Sequence, residues 1–166
     1  MPSYSPSSSE YKFEKKTGMK LGPKLRNGNG KIYGLKKYPK RLVKIDESLE
    51  LDDRRKLMKI IKYIKKTKSK AVVTIYEYGV LAGGAHYYVM DKLTGLKDKW
   101  NRGDQLSSYL YGGPVPATES PQLKAFVKRA RKLLAEYGYG DIHGGNIMLD
   151  GDGEYKFVDL ESFTYV

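Results

Sequence analysis

The stretch from Asp141 to Asp159 constrains this 166-residue chain more than any other. Just before it, Leu123, Phe126, Val127, Ala130, Leu134 and Tyr137 recur at helical spacing. Lys124, Lys128, Arg129, Arg131 and Lys132 fall largely outside that stripe. Ser120-Pro121 supplies a cap and a proline at the first helical position, and Gly138 and Gly140 stop the helix. Then follow Asp141-Ile-His143-Gly-Gly-Asn146, and two short apolar runs, Ile147-Met-Leu and Tyr155-Lys-Phe-Val158, around Asp150-Gly-Asp-Gly153. The pattern predicts a helix, a polar loop and a small hairpin in close succession. A tight turn there brings Asp159 back beside Asn146.

Those residue types suit phosphoryl transfer. The reaction needs a hydroxyl held in line and phosphate charge neutralised by metal. A loop carboxylate, Asp141, can orient the hydroxyl or accept its proton. The amide oxygen of Asn146 and the carboxylate of Asp159 suit magnesium, a hard ion that prefers oxygen. Asp and Asn also favour turns for local reasons, so the set carries the reading rather than any one member. His143 has two readings: a donor to the transferring phosphate, or a structural ring bonded to a loop carbonyl.

The first half reads as extended chain. Strands are expected at 19–25, 31–35, 41–45, 71–76 and 86–90, with the turn Arg26-Asn-Gly28-Asn-Gly30 between the first two. Leu57, Ile60, Ile61 and Ile64 mark a helix before the fourth strand, and 97–111 is a further helix candidate. Lys44 stands inside an apolar strand, fourteen residues after Gly30. A strand there can run beneath bound phosphates, which makes Lys44 a phosphate contact. Gly28 and Gly30 can offer backbone amides to the same phosphates. Glu50 is the favoured acidic partner for Lys44, with Glu47 and Asp53 as alternatives. Residues 1–16, rich in Ser, Pro and Lys, read as a flexible arm.

Composition narrows the remaining classes. The chain carries 31 Lys and Arg against 19 Asp and Glu, a net charge of +12. Such a surface attracts nucleotides and acidic proteins. No zinc-finger or RNA-recognition signature accompanies it, so direct nucleic-acid binding ranks behind those partners. With no cysteine and two histidines, disulfides and a zinc site are not expected. The N-terminal residues lack a secretory signal and no run of eighteen apolar residues occurs, so the expectation is a cytoplasmic protein without membrane contact.

Tyr139-Gly-Asp141-Ile-His143-Gly-Gly-Asn146 resembles the catalytic loop of the protein-kinase-like superfamily. Through Asp159 and Ser162-Phe163 the segment is similar to the early serine/threonine protein kinase of T-seven-like short-tailed bacteriophages. Residues 25–45 resemble that family's glycine-loop and lysine strands. Tyr88-Val-Met90-Asp91-Lys-Leu93 resembles a hinge segment, where Met90 and Asp91 would meet adenine. The resemblance implies an α+β, minimal kinase-like fold: a five-stranded antiparallel N-lobe at 17–92 with one helix, and a truncated helical C-lobe at 93–166. It implies ATP and magnesium as cofactors, Asp141 as catalytic base, Asn146 and Asp159 as metal ligands, and Lys44 as an α/β-phosphate contact. His143 would stand where many protein kinases carry a catalytic-loop lysine. Host proteins modified during phage takeover, in the host cytoplasm, would be the substrates. Three features depart from the family: Arg26 replaces a first glycine, Leu160-Glu161 follows Asp159, and the chain ends at Val166. Two alternatives therefore stay open. One is a catalytically inactive relative that inhibits a host protein or transcription complex by contact. The other is a small-molecule kinase.

Overall fold

The computed structural model describes residues 4–27, 30–140 and 142–164. The chain is an α+β protein that divides into two compact units. One comprises Met1–Met58 and Ile75–Lys92, the other Lys59–Thr74 and Leu93–Val166. Residues 59–74 fall in the second of these units.

The first unit is built on a five-stranded antiparallel sheet. Its strands are β1 (Leu21–Arg26), β2 (Gly30–Leu35), β3 (Tyr38–Asp46), β4 (Ile75–Val80) and β5 (His86–Asp91), in spatial order β1-β2-β3-β5-β4. Side chains alternate between the two faces. Tyr33, Leu35, Val43, Ile45, Tyr87 and Val89 form a buried core on one face. Lys44 pairs in register with Ile32 and Tyr88, which puts these three on the other face.

The core face is covered by a helix, α1 (Ser9–Thr17), where composition suggests a flexible arm. The Ser8 hydroxyl accepts the Tyr11 amide at 3.2 Å, an N-cap that starts the helix. Phe13 is fully buried in the sheet core, and its ring meets Tyr87 edge-on at 5.2 Å. Glu14 accepts the Leu21 amide at 2.8 Å, which ties the helix to the start of β1. One large apolar side chain in a fitted site outweighs a polar composition. We expect Phe13→Leu to lower stability by about 1 kcal/mol through loss of the ring contact, measured by urea unfolding.

β4 begins four residues later than the sequence pattern suggests. The apolar run Ala71-Val-Val73 is buried instead beside β8 (Tyr155–Phe157) in the second unit. There Phe157 donates its amide to Ala71 at 2.8 Å and accepts that of Val73 at 2.9 Å. A short continuous apolar run fits either setting, and periodicity alone does not separate them.

The second unit contains the last turns of α2 (Leu51–Thr67), then β6 (Thr94–Gly95), α3 (Lys99–Leu110), α4 (Pro121–Glu136), β7 (Ile147–Leu149), β8 and a 3-10 helix at Leu160–Thr164. The Ser120 hydroxyl caps α4 by accepting the Leu123 amide at 3.1 Å. β7 and β8 form the expected hairpin, and β6 adds a third strand beside β7. Phe157 is the centre of an aromatic cluster, with ring centroids 5.3 Å from Phe126 and 4.7 Å from Tyr139. Phe163 packs edge-on against Tyr139 at 4.8 Å.

Arg102 of α3 grips Glu119 with two bonds of 2.7 and 2.9 Å, which fastens the segment preceding α4. Hydrogen bonding to Arg102 holds the Glu119 carboxyl below its usual range. A depressed folded pKa gives stabilisation that is present above the unfolded pKa, about 4.3, and lost as pH falls through the folded value. Glu119→Gln should cost about 1 kcal/mol at neutral pH. Its melting curve should converge with that of the parent in acid, as thermal scans across pH 2–7 would show.

Candidate functional site

Asn146 and Asp159 are brought together by the β7–β8 hairpin in the second unit. The Asn146 carbonyl accepts the Val158 amide at 2.9 Å, and the Asn146 amide donates to the His143 carbonyl at 3.0 Å. One residue past Val158, Asp159 takes a left-handed backbone conformation with φ 54°. That region is sparsely populated by non-glycine residues and needs outside support. The support is visible. Ser162 donates its amide to the Asp159 carbonyl at 3.1 Å and its hydroxyl to Asp159 Oδ2 at 3.2 Å. The Tyr139 hydroxyl donates to the Val158 carbonyl at 2.5 Å and reaches the Asp159 carbonyl at 3.2 Å.

The same bonds fix the start of the loop. The Gly140 amide donates to the Ser162 carbonyl at 2.8 Å, so the chain immediately before position 141 is held against the segment that carries Asp159. Asp141 itself lies outside the described residues. In sequence, Tyr139 and Ser162 are only the flanks of a motif. Their positioning role comes from hydrogen bonds across about twenty residues of chain, which no local pattern announces.

His143 turns its ring onto its own loop. Nδ1 accepts the Gly145 amide at 2.9 Å. That bond assigns the proton of the neutral ring to Nε2. On the other side of the loop stands Gly103, in the middle of α3. A Cβ at Gly103 would lie 2.3 Å from the Gly144 nitrogen and 2.9 Å from its Cα. The helix and the loop touch backbone to backbone. The signal available in sequence is a glycine inside a helical pattern, a residue that costs helix stability and calls for a packing reason.

The remaining candidates lie in the first unit. Lys44 is 4% exposed on the sheet face opposite α1. Gly30 shares that face, and a Cβ there would lie 2.2 Å from Lys44 Cε. The bare glycine is what lets the lysine lie across β2. Gly28 lies outside the described residues. Glu50 is exposed and sits just before α2, where its carbonyl accepts the Arg54 amide at 2.9 Å. Asp46 is the acidic residue buried on the Lys44 face, two positions along β3. Its Oδ1 accepts the Ser48 amide at 2.7 Å and hydroxyl at 2.5 Å. Sequence spacing favours Glu50 and passes Asp46 over.

Met90 is buried in β5 with β3 and β4 on either side. Asp91, at the end of that strand, accepts the Tyr76 hydroxyl, and the Arg41 guanidinium lies 3.6 Å from the centre of the Tyr76 ring. The Asp91 side chain is therefore engaged at the sheet end. Its hydrogen bond is the main cause raising the Tyr76 pKa.

The donor set of Asn146 and Asp159 is entirely oxygen, which fits magnesium rather than a softer metal. No protein-family profile matches this chain, and no curated protein does. Solved structures do. The kinase domain of Mycobacterium tuberculosis PknI, in a point-mutant form, superposes with a TM-score of 0.58 at 14% identity, over 88% of this chain and 60% of that one. Vaccinia related kinase 3 gives 0.53 at 18% identity, over 87% of this chain and 47% of that one. At such identities the likeness establishes the fold: this chain is folded like a protein kinase domain. It spans roughly half to three-fifths of those neighbours.

Proposed function

We propose that this chain is an ATP- and magnesium-dependent phosphotransferase that acts on serine or threonine hydroxyls of proteins. The observation that carries this reading is the Asn146 carbonyl–Val158 amide bond, which places Asn146 beside the strained Asp159. Strain of that kind persists where the surroundings enforce it, and it clusters at working sites. In the proposed roles Asp141 orients the acceptor hydroxyl and takes its proton, and Asn146 and Asp159 hold magnesium. Lys44 contacts the nucleotide phosphates. Magnesium, when bound, would supply neutralisation of the phosphate charge. His143, with Nδ1 committed to Gly145, would present Nε2–H as its donor.

The resemblance of 139–163 to phage kinases makes host proteins the proposed acceptors. The surface charge favours acidic ones. In the second unit Lys68, Lys70, Lys132 and Arg129, the last paired with Glu154, line a cavity of about 400 Å³ together with Glu136, a setting of net positive charge suited to an acidic segment.

The test is transfer from labelled ATP with magnesium to the chain itself and to bacterial lysate, with Asp141→Ala alongside. Label that depends on Asp141 is the expected result. No label with either protein would sink the reading. A full biological effect retained by Asp141→Ala would instead assign the effect to binding without catalysis.

A further inference from the structure

The first unit holds a second polar cavity, of about 470 Å³, that the proposed chemistry does not use. Ser7, Ser9 and Lys12 line it from the α1 end, Glu47 from the segment entering α2, Arg54 from the first turn of α2, and Gly83-Gly84 from the β4–β5 turn. The two cations converge on the glycine pair. A Cβ at Gly83 would lie 3.0 Å from Lys12 Nζ, and one at Gly84 would lie 2.5 Å from Arg54 Nη1. Both glycines have positive φ, 92° and 106°. Bare backbone at this turn is what admits the two cationic heads.

Neither cation is in an ion pair among the described residues, although the Glu47 carboxylate lines the same cavity. The acidic residues of α1 are used elsewhere: Glu10 lies 3.5 Å from Lys31, and Glu14 lies 4.0 Å from Lys20. Glu47 accepts the hydroxyl of Ser9. Among the described residues neither Lys12 nor Arg54 has an ion-pair partner. Both are half-buried. Two partly desolvated positive charges beside one carboxylate, Glu47, leave the cavity one positive charge in excess, and an anion between the cations offsets their repulsion.

We propose that this cavity binds a phosphate group, as a dianion held by Lys12 and Arg54 with serine hydroxyls at its rim. Two separate cations suit a doubly charged tetrahedral group with several acceptor oxygens. The phosphate has two possible sources with the same chemistry: the side chain of Ser7, which lines the cavity, or a separate molecule. Occupancy would tie α1, the start of α2 and the β4–β5 turn into one anchored corner of the first unit. This holds whether or not the chain transfers phosphate.

Thermal unfolding of the full chain in inorganic phosphate, against sodium chloride at equal ionic strength, tests it. A saturable rise in melting temperature is expected. Lys12→Gln and Arg54→Gln should each weaken the apparent affinity about tenfold, the loss of one charge-assisted bond. Lys97→Gln, which removes the same charge elsewhere, should not. Lys12→Arg keeps the charge and should keep the response, so a folding defect in one variant does not decide the matter. A chain carrying phosphoserine at position 7 separates the sources. Raised melting and no further response to phosphate assign the site to Ser7. An unchanged response assigns it to a separate molecule. No saturable rise, or an equal rise in every variant, overturns the proposal in favour of diffuse attraction to a chain of charge +12.

Discussion

Gly30→Ala should reduce phosphotransfer about a hundredfold, the usual scale for a misplaced catalytic contact, while leaving the fold intact. The added methyl would lie 2.2 Å from Lys44 Cε, 3.2 Å from Nζ and 3.4 Å from Cδ. Those atoms are the far end of a flexible side chain, so the conflict is relieved by moving the ammonium rather than the backbone. Gly30 does not have a positive φ, and alanine fits a strand at least as well as glycine does. Displacing a buried ammonium from its contacts still carries a cost, so stability should fall by about 1 kcal/mol without loss of the fold. Lys44→Met should give a comparable loss of transfer. Steady-state rates with ATP as the varied substrate, beside a urea melt, distinguish the outcomes. Full activity in Gly30→Ala would show that the position of Lys44 does not matter to the reaction.

What can be read in the sequence follows from how local each signal is. α4 is legible because its cap, its N1 proline and its apolar stripe all lie within one segment. The β7–β8 hairpin is legible because Asp150-Gly-Asp-Gly153 is turn chemistry between two apolar runs. α1 is not, because its helix rests on one buried ring, Phe13, and a serine cap amid polar residues. Ala71-Val-Val73 reads as the start of a sheet strand because burial in the second unit and burial in a sheet give the same apolar run. At the candidate site, the Asp–Asn–Asp spacing is readable. The bonds from Tyr139 and Ser162 that hold Asp159 in its strained conformation are not, since they close only in three dimensions. Asp46 escapes notice for the same reason: its burial depends on tertiary contacts.

Gly103→Ala should do the opposite of what helix propensity alone requires, and it should damage stability and activity together. In an exposed helix, alanine in place of glycine stabilises by about 1 kcal/mol. Here the new Cβ would meet the Gly144 nitrogen at 2.3 Å, its Cα at 2.9 Å and the His143 carbonyl carbon at 3.1 Å. All three are backbone atoms, so no rotamer change relieves the contact. Either α3 shifts or the loop does. Overpacking of this kind costs about 1–3 kcal/mol, so a net loss of up to about 2 kcal/mol remains after the propensity gain, with a backbone-to-backbone contact belonging at the upper end. The loop is the weaker partner, because it is irregular and fastened by single bonds such as the Asn146 amide to the His143 carbonyl. A shift at Gly144 passes to Asn146 within two residues and loosens its register on Val158. Transfer should then fall by about a hundredfold, with a higher magnesium concentration needed for half-maximal rate if Asn146 is a metal ligand. Asp104→Ala, at the neighbouring exposed position, supplies the control. It should keep stability and transfer. If Gly103→Ala instead melts higher than the parent and keeps its activity, α3 does not press on the loop, and the positioning of Asn146 must come from the hairpin alone.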